Sequence, residues 1–250
     1  DFKIDAIIST STTSFFNKST HPLTNLLMWR DVTTRKTISW NSEHNIPIFN
    51  DTFFYGKRVN EIRKYKGILS VRKENEIRKY VFDNNPKIDN GIVRYANWPQ
   101  NVENLIEDNE SIDKFPTLDK LIEEYSNSYF SFIIESEHGD SDVNPTTNLT
   151  EKTLIGLLTG TMPIVLGGKN MISDLSKMGI TVWNDEFGFG DGDNYSTYSN
   201  YKADAFLRCI DNVNKLSISE VKSIWNSNIE LIQKNYDLIS YLLFSKEMQI

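Results

Sequence analysis

The chain has 250 residues and a mass of 28.9 kDa, and its 39% hydrophobic content, with 12% aromatic residues, is enough to bury a core; this excludes a disordered chain. Its net charge of −7 argues against broad, nonspecific binding to nucleic acid. No window approaches the run of about 18 apolar residues that a membrane helix needs, so no membrane span is expected.

Taken in chain order, Asp5 to Ser9 reads as a short strand, Leu23 to Trp29 as a helix and Lys36 to Trp40 as a strand, with a loop from Asn41 to Pro47. From Lys66 the pattern becomes regular. Gly67 to Val71 is strand-like, and Asn75 to Asn84 has helical spacing through Ile77, Tyr80 and Val81. Gly91 to Tyr95 is the next strand. Leu118 to Ser126 is a helix with Leu118, Leu121, Ile122 and Tyr125 on one face. Tyr129 to Glu135 is an apolar run without alternation, as in a strand buried on both faces. A helix from about Thr150 to Thr159 and a strand from Pro163 to Gly167 follow. A polar loop from Asn184 to about Asn200 leads into a helical tail. There Ser217 and Glu220 have capping-box spacing, and Val221, Ile224, Trp225 and Ile232 form an apolar stripe.

Strands alternating with helices of this length predict an α/β fold, a Rossmann-like parallel sheet with helices on both faces. Three segments are expected: an N-terminal acceptor-side lobe over 1–65, a nucleotide-binding unit over 66–200, and helices over 201–250 that pack on the sheet. The first lobe is short for a complete domain, and a chain beginning at Asp1 is expected of an excised piece.

Asp1 to Thr10 has no basic region and no long apolar run, so no signal peptide is expected. The single cysteine, Cys209, excludes an internal disulfide and fits a reducing compartment. A cytoplasmic location is therefore expected. Sequons at Asn17, Asn50, Asn148 and Asn194 are then chance occurrences in an Asn-rich chain.

In an open parallel sheet ligands bind at the carboxyl ends of the strands. Ser70 to Arg78, Glu135 to His138, Asn148 to Lys152 and Gly167 to Lys169 should converge there. Thr150-Glu151-Lys152 opens a helix, whose free amides and positive dipole end suit a phosphate. Lys152 adds a point charge, and Glu151 can accept from ribose hydroxyls; ordinary helix-start chemistry would also place Thr and Glu there. Arg72, Lys73 and Arg78 follow a strand and open its helix, and the Arg78 fork can clamp two phosphate oxygens unless it only pairs with Glu74 at the surface. Nine Lys or Arg residues lie between Lys57 and Lys79 against Glu61, Glu74 and Glu76. Such a local basic patch suits a small anion; a solvated helix face is the plainer explanation.

These residues, in this order, resemble the alpha-1,3-fucosyltransferases and related viral or bacterial glycosyltransferases. The similarity runs from about Lys36 to Asp185. It rests on Phe132-Ile-Ile-Glu135-Ser136, then Leu149-Thr150-Glu151-Lys152, then Met162-Pro-Ile-Val-Leu-Gly167, with the strand and helix of Ser70 to Arg78 upstream and Glu43-His44 in the loop before Pro47. The resemblance implies the two-domain GT-B architecture, with a reduced or incomplete acceptor lobe, and transfer of a sugar from a nucleotide-diphosphate donor to a glycan or other hydroxyl acceptor. It assigns Glu43 as the base and Glu135 as the group ordering the donor site. Arg72, Arg78, Ser136, Asn148, Thr150, Glu151 and Lys152 would bind the donor. Inversion without a metal or separate cofactor is then expected, since the carboxylate deprotonates the acceptor and the cations stabilise the leaving diphosphate.

The chain departs from that family at Asn148, where an aromatic residue stands, at Ser136, where Asn stands, and in a longer, more acidic loop between them. The donor's base and sugar therefore stay open, a GDP-sugar among them. Asp140-Ser-Asp142 and Asp191-Gly-Asp193 keep a metal-dependent transferase as an alternative. A binding module without chemistry is another. A nucleic acid acceptor is disfavoured by the acidic charge.

Overall fold

A computed structural model describes residues 62–73, 75–98, 118–135, 151–168, 171–189 and 199–244. The elements expected before residue 62 lie outside them.

The described residues form an α/β fold with one parallel four-stranded sheet, in the order β2-β1-β3-β4. Strand β1 spans Tyr65–Lys73, β2 Ile92–Trp98, β3 Ser128–Ile134 and β4 Met162–Leu166. Helix α1 is Glu76–Asp83, α2 Leu118–Ser126, α3 Glu151–Leu158 and α4 Met171–Lys177. After a short 3-10 turn at Asp185–Phe187 come α5 (Ser199–Asn214), α6 (Ile218–Ser227) and α7 (Ile229–Phe244). All three strand pairings are parallel.

The order of strands decides which face each helix covers. Going from β1 to β2 moves one way along the sheet, and a right-handed crossover places α1 on one face. Going from β2 to β3 reverses direction across β1, so α2 falls on the other face and α3 stays with it. The cores agree with this. Ile77 and Val81 of α1 pack with Leu69, Val71, Phe132 and Ile134. Ile122, Tyr125, Leu154 and Leu158 pack with Ile68, Ile133 and Val165. Both faces of β3 and β4 are covered, and every residue of these two strands is buried. Their unalternating apolar character follows.

The tail completes both layers. Phe206 of α5 meets Phe132 edge-on, with ring centroids 6.0 Å apart. Trp225 of α6 donates its indole N–H to the Gly160 carbonyl at 3.0 Å. α7 lies against α3, with Ile232 and Ile239 buried. Asn75 caps α1, its Oδ1 accepting the Arg78 amide at 2.9 Å, and Ser217 and Glu220 form the full reciprocal capping box.

Two glycines permit close layers. A Cβ on Gly67 would lie 2.7 Å from the Phe132 ring, and one on Gly156 would lie 2.7 Å from Ser131 Oγ. Gly156 thereby lets α3 settle onto β3, despite glycine's poor helix propensity.

Helix α4 was not expected from the sequence. It spans seven residues and offers only Met171 and Leu175 as an apolar pair, too short a stretch for periodicity to register.

Candidate functional site

The chain moves outward from β1 in one direction and then returns to place β3 on its other side, so β1 and β3 flank the topological switch point of the sheet. Loops leaving neighbouring strands at such a point part to opposite faces and leave a crevice at the carboxyl rim. The register between β1 and β2 shifts between Val71 and Lys73, so a bulge bends the sheet at the same rim.

Two elements grip the end of β3 from opposite faces. From α1, the Arg78 Nη2 donates to the Ile134 carbonyl at 2.7 Å. From α3, the Thr153 hydroxyl donates to Glu135 Oε1 at 2.5 Å. Glu135 also ties β3 to β4, its amide donating to the Leu166 carbonyl at 2.9 Å. Arg78 and the first turn of α3 thus meet at two consecutive residues. Lys152, half-buried, precedes Thr153 in that turn.

Arg78 is only 2% exposed, which removes the alternative of an ordinary surface ion pair with Glu74. Its guanidinium is part of the rim's interior. Glu135 is fully buried. Its carboxylate holds the first turn of α3 against the strand, a positioning arrangement. Arg72 lies on β1, one residue before its end, and Glu151 is the first residue of α3; their side chains lie outside the described set. Glu43, Ser136, Asn148 and Thr150 lie outside the described residues, as do both Asp-x-Asp pairs.

The basic stretch does not form a single patch. Arg63 and Lys66 are buried at the amino end of the sheet, where Arg63 donates to the Ser128 and Thr159 carbonyls at 2.6 and 2.7 Å. Arg78 sits at the carboxyl end. Strand β1 separates cations that are neighbours in sequence, so they cannot act on one anion.

Several features escaped the sequence reading. Thr153 looked like an interior helix residue, and only the fold reveals Glu135 as its acceptor. Ser70 Oγ is buried on β1 with no hydrogen-bond partner among the described residues. Its register partner Arg94 makes a two-pronged ion pair with Glu124 of α2, one contact at 2.7 Å. Lys202, in the first turn of α5, is buried. No local pattern marks a lysine for burial.

A hollow of about 390 Å³ lies between Trp183, Phe187, Leu216 and Ile224. It is near the amino end of β4, where the Trp183 amide donates to the Pro163 carbonyl at 2.9 Å, and so is remote from the rim. Asn212 and Asn228 beside it donate to the Phe187 and Ile224 carbonyls. The concentration of buried charge favours the rim as the site of chemistry. Among the described residues no helix is long and apolar enough to cross a membrane, and no group of three or more His, Cys, Asp or Glu could hold a metal ion.

No family model, no curated protein and no solved structure matches this chain.

Proposed function

We propose that the chain is a glycosyltransferase of the GT-B kind, and that its α/β unit holds a nucleotide-diphosphate sugar at the carboxyl rim. The observation that carries this reading is the meeting of Arg78 and the first turn of α3 at Ile134 and Glu135, beside the switch point of a parallel sheet. A guanidinium, a helix amino end and a half-buried ammonium in one crevice make a receptor for a diphosphate. The ordered motifs quoted above supply the remaining support.

In this reading Lys152 and Arg78 take the diphosphate, Glu151 the ribose, and Glu135 holds α3 in place. Glu43 removes the proton from the acceptor hydroxyl as the sugar's bond to the diphosphate breaks, and the cations stabilise the charge that develops on the leaving group. The acceptor is a glycan or another hydroxyl compound.

The test is a thermal-shift panel of nucleoside diphosphates and nucleotide sugars. A ligand that binds only the folded state raises the melting temperature, and the largest rise identifies the base. A flat panel, with hydrolysis and transfer also absent, overturns the assignment.

A further inference from the structure

Helix α5 brings a cation to the rim that neither the sequence motifs nor the sites above assign. Its direction is fixed by its contacts. Asn214, its last residue, accepts from the Asp89 amide at 2.9 Å and donates to the Lys87 carbonyl at 2.7 Å, ahead of β2. The Lys66 ammonium reaches the Asn214 carbonyl at 3.2 Å, near the start of β1. The C-terminal end of α5 therefore lies at the amino end of the sheet. Phe206 packs on Phe132 in the middle of β3. One turn back from Phe206 is Lys202, about 6 Å along the axis. Two residues beyond Phe132 is Ile134, about 7 Å along the strand. Lys202 thus stands over the end of β3, level with the carbonyl that receives Arg78. Side chains on a helix lean toward its N-terminus, here toward the rim.

Lys202 shares one face of α5 with Phe206, Cys209 and Val213, all buried, and is itself 1% exposed. An apolar residue would continue that stripe without desolvating a charge, and lysine is almost never buried so fully unless the charge is engaged. Asp204, two residues on, accepts the Tyr80 hydroxyl at 2.9 Å and fixes α5 against α1, the helix that carries Arg78. Departures from local preference of this kind concentrate at functional sites.

We propose that Lys202 is a further anion-binding residue of the rim: its ammonium and the Arg78 guanidinium, carried by adjacent helices, flank the end of β3 and together bind the diphosphate of the ligand. The sugar-nucleotide reading supplies the identity of the anion.

The experiment is calorimetric titration of the full chain with inorganic pyrophosphate, with GDP, UDP, ADP and CDP, and with the corresponding nucleosides. It is run on the unaltered protein, Lys202→Met and Lys202→Gln, with melting temperatures measured in parallel. The expected result is a folded variant whose affinity for pyrophosphate and the preferred diphosphate falls about tenfold or more, while nucleoside affinity stays within about twofold. A folded variant that binds the diphosphate as well as the unaltered protein overturns the role of Lys202 and leaves the sugar-nucleotide reading standing. If the unaltered chain binds no diphosphate, both fall. If neither variant folds, Lys202 is a structural group and the proposal is overturned.

Discussion

Arg63 shows how much one side chain can hold. Its guanidinium donates to Ser128, Tyr125 and Thr159 carbonyls, and its central carbon lies 4.9 Å from the centre of the Trp225 ring. Tyr125 and Thr159 mark the ends of α2 and α3, where helix dipoles present partial negative charge. Burial pulls the Arg63 pKa down to about 9, which still leaves it protonated at neutral pH. Arg63→Met should cost about 2 kcal/mol, because buried carbonyls lose their donors. Arg63→Lys should recover little of this, since an ammonium lacks the planar fork and stacks poorly. Urea denaturation of both variants measures the difference, and equal stability of Arg63→Lys and the unaltered chain would refute the account.

Arg78 and Lys152 should behave differently from each other. Lys152→Ala removes a half-buried point charge and should weaken diphosphate binding by about 1–3 kcal/mol with little change in melting temperature. Arg78→Ala should weaken binding and also lower the melting temperature, because the Ile134 carbonyl loses a buried donor. Titrations paired with melting curves separate the two effects. Unchanged binding in both variants removes the site.

At the scale of the element, β4 is an edge strand among the described residues, and its edge is covered in an unusual way. The Asn184 side chain accepts from the Val165 amide at 2.9 Å and donates to the Val165 carbonyl at 2.8 Å, as a neighbouring strand would. An edge satisfied in this manner offers no template to another chain. Asn184→Ala strands both groups in the interior and should cost about 2–3 kcal/mol. Increased aggregation on heating is the second sign to measure.

The cap of α6 gives a pH dependence whose sign can be worked out. Hydrogen bonds from the Ser217 hydroxyl, and then from its amide, hold the Glu220 carboxyl below its ordinary pKa of 4.5. A depressed pKa means that the stabilisation is present above 4.5 and is lost as pH falls through the folded-state value. The melting temperature of the unaltered chain should therefore drop more steeply than that of Glu220→Gln between pH 5 and acid, with parallel curves above. Parallel curves throughout would show that the cap does not depend on ionisation.

At the scale of the whole molecule, the two helical layers depend on chain segments far apart in sequence. α7 covers the outer side of α3 and buries Ile232, Asn235 and Ile239. The Asn235 amide pairs with both backbone groups of Thr181, each contact at 2.8 Å. Deleting residues 229–250 should expose this apolar layer and abolish a cooperative thermal transition, as followed by circular dichroism.

Much of this architecture is legible in the sequence. The unbroken apolar runs at Phe130 to Ile134 and Ile164 to Leu166 announce strands covered on both faces, and the alternation with helices announces a parallel sheet. Asn75, Ser217 and Glu220 mark helix starts, because capping is a matter of three or four adjacent residues. The motif around Thr150-Glu151-Lys152 points to the rim where Thr153 and Glu135 meet. The sharing of nine basic residues between two ends of β1 was not legible, nor was the burial of Arg63, Arg78 and Lys202. Local pattern fixes the type of each element and the face that must be hidden, because periodicity and capping act over a few residues. The strand order, and with it the switch point and the company kept by each buried charge, is decided by packing between elements up to 148 residues apart, as Lys66 and Asn214 are. No local pattern encodes contacts of that range.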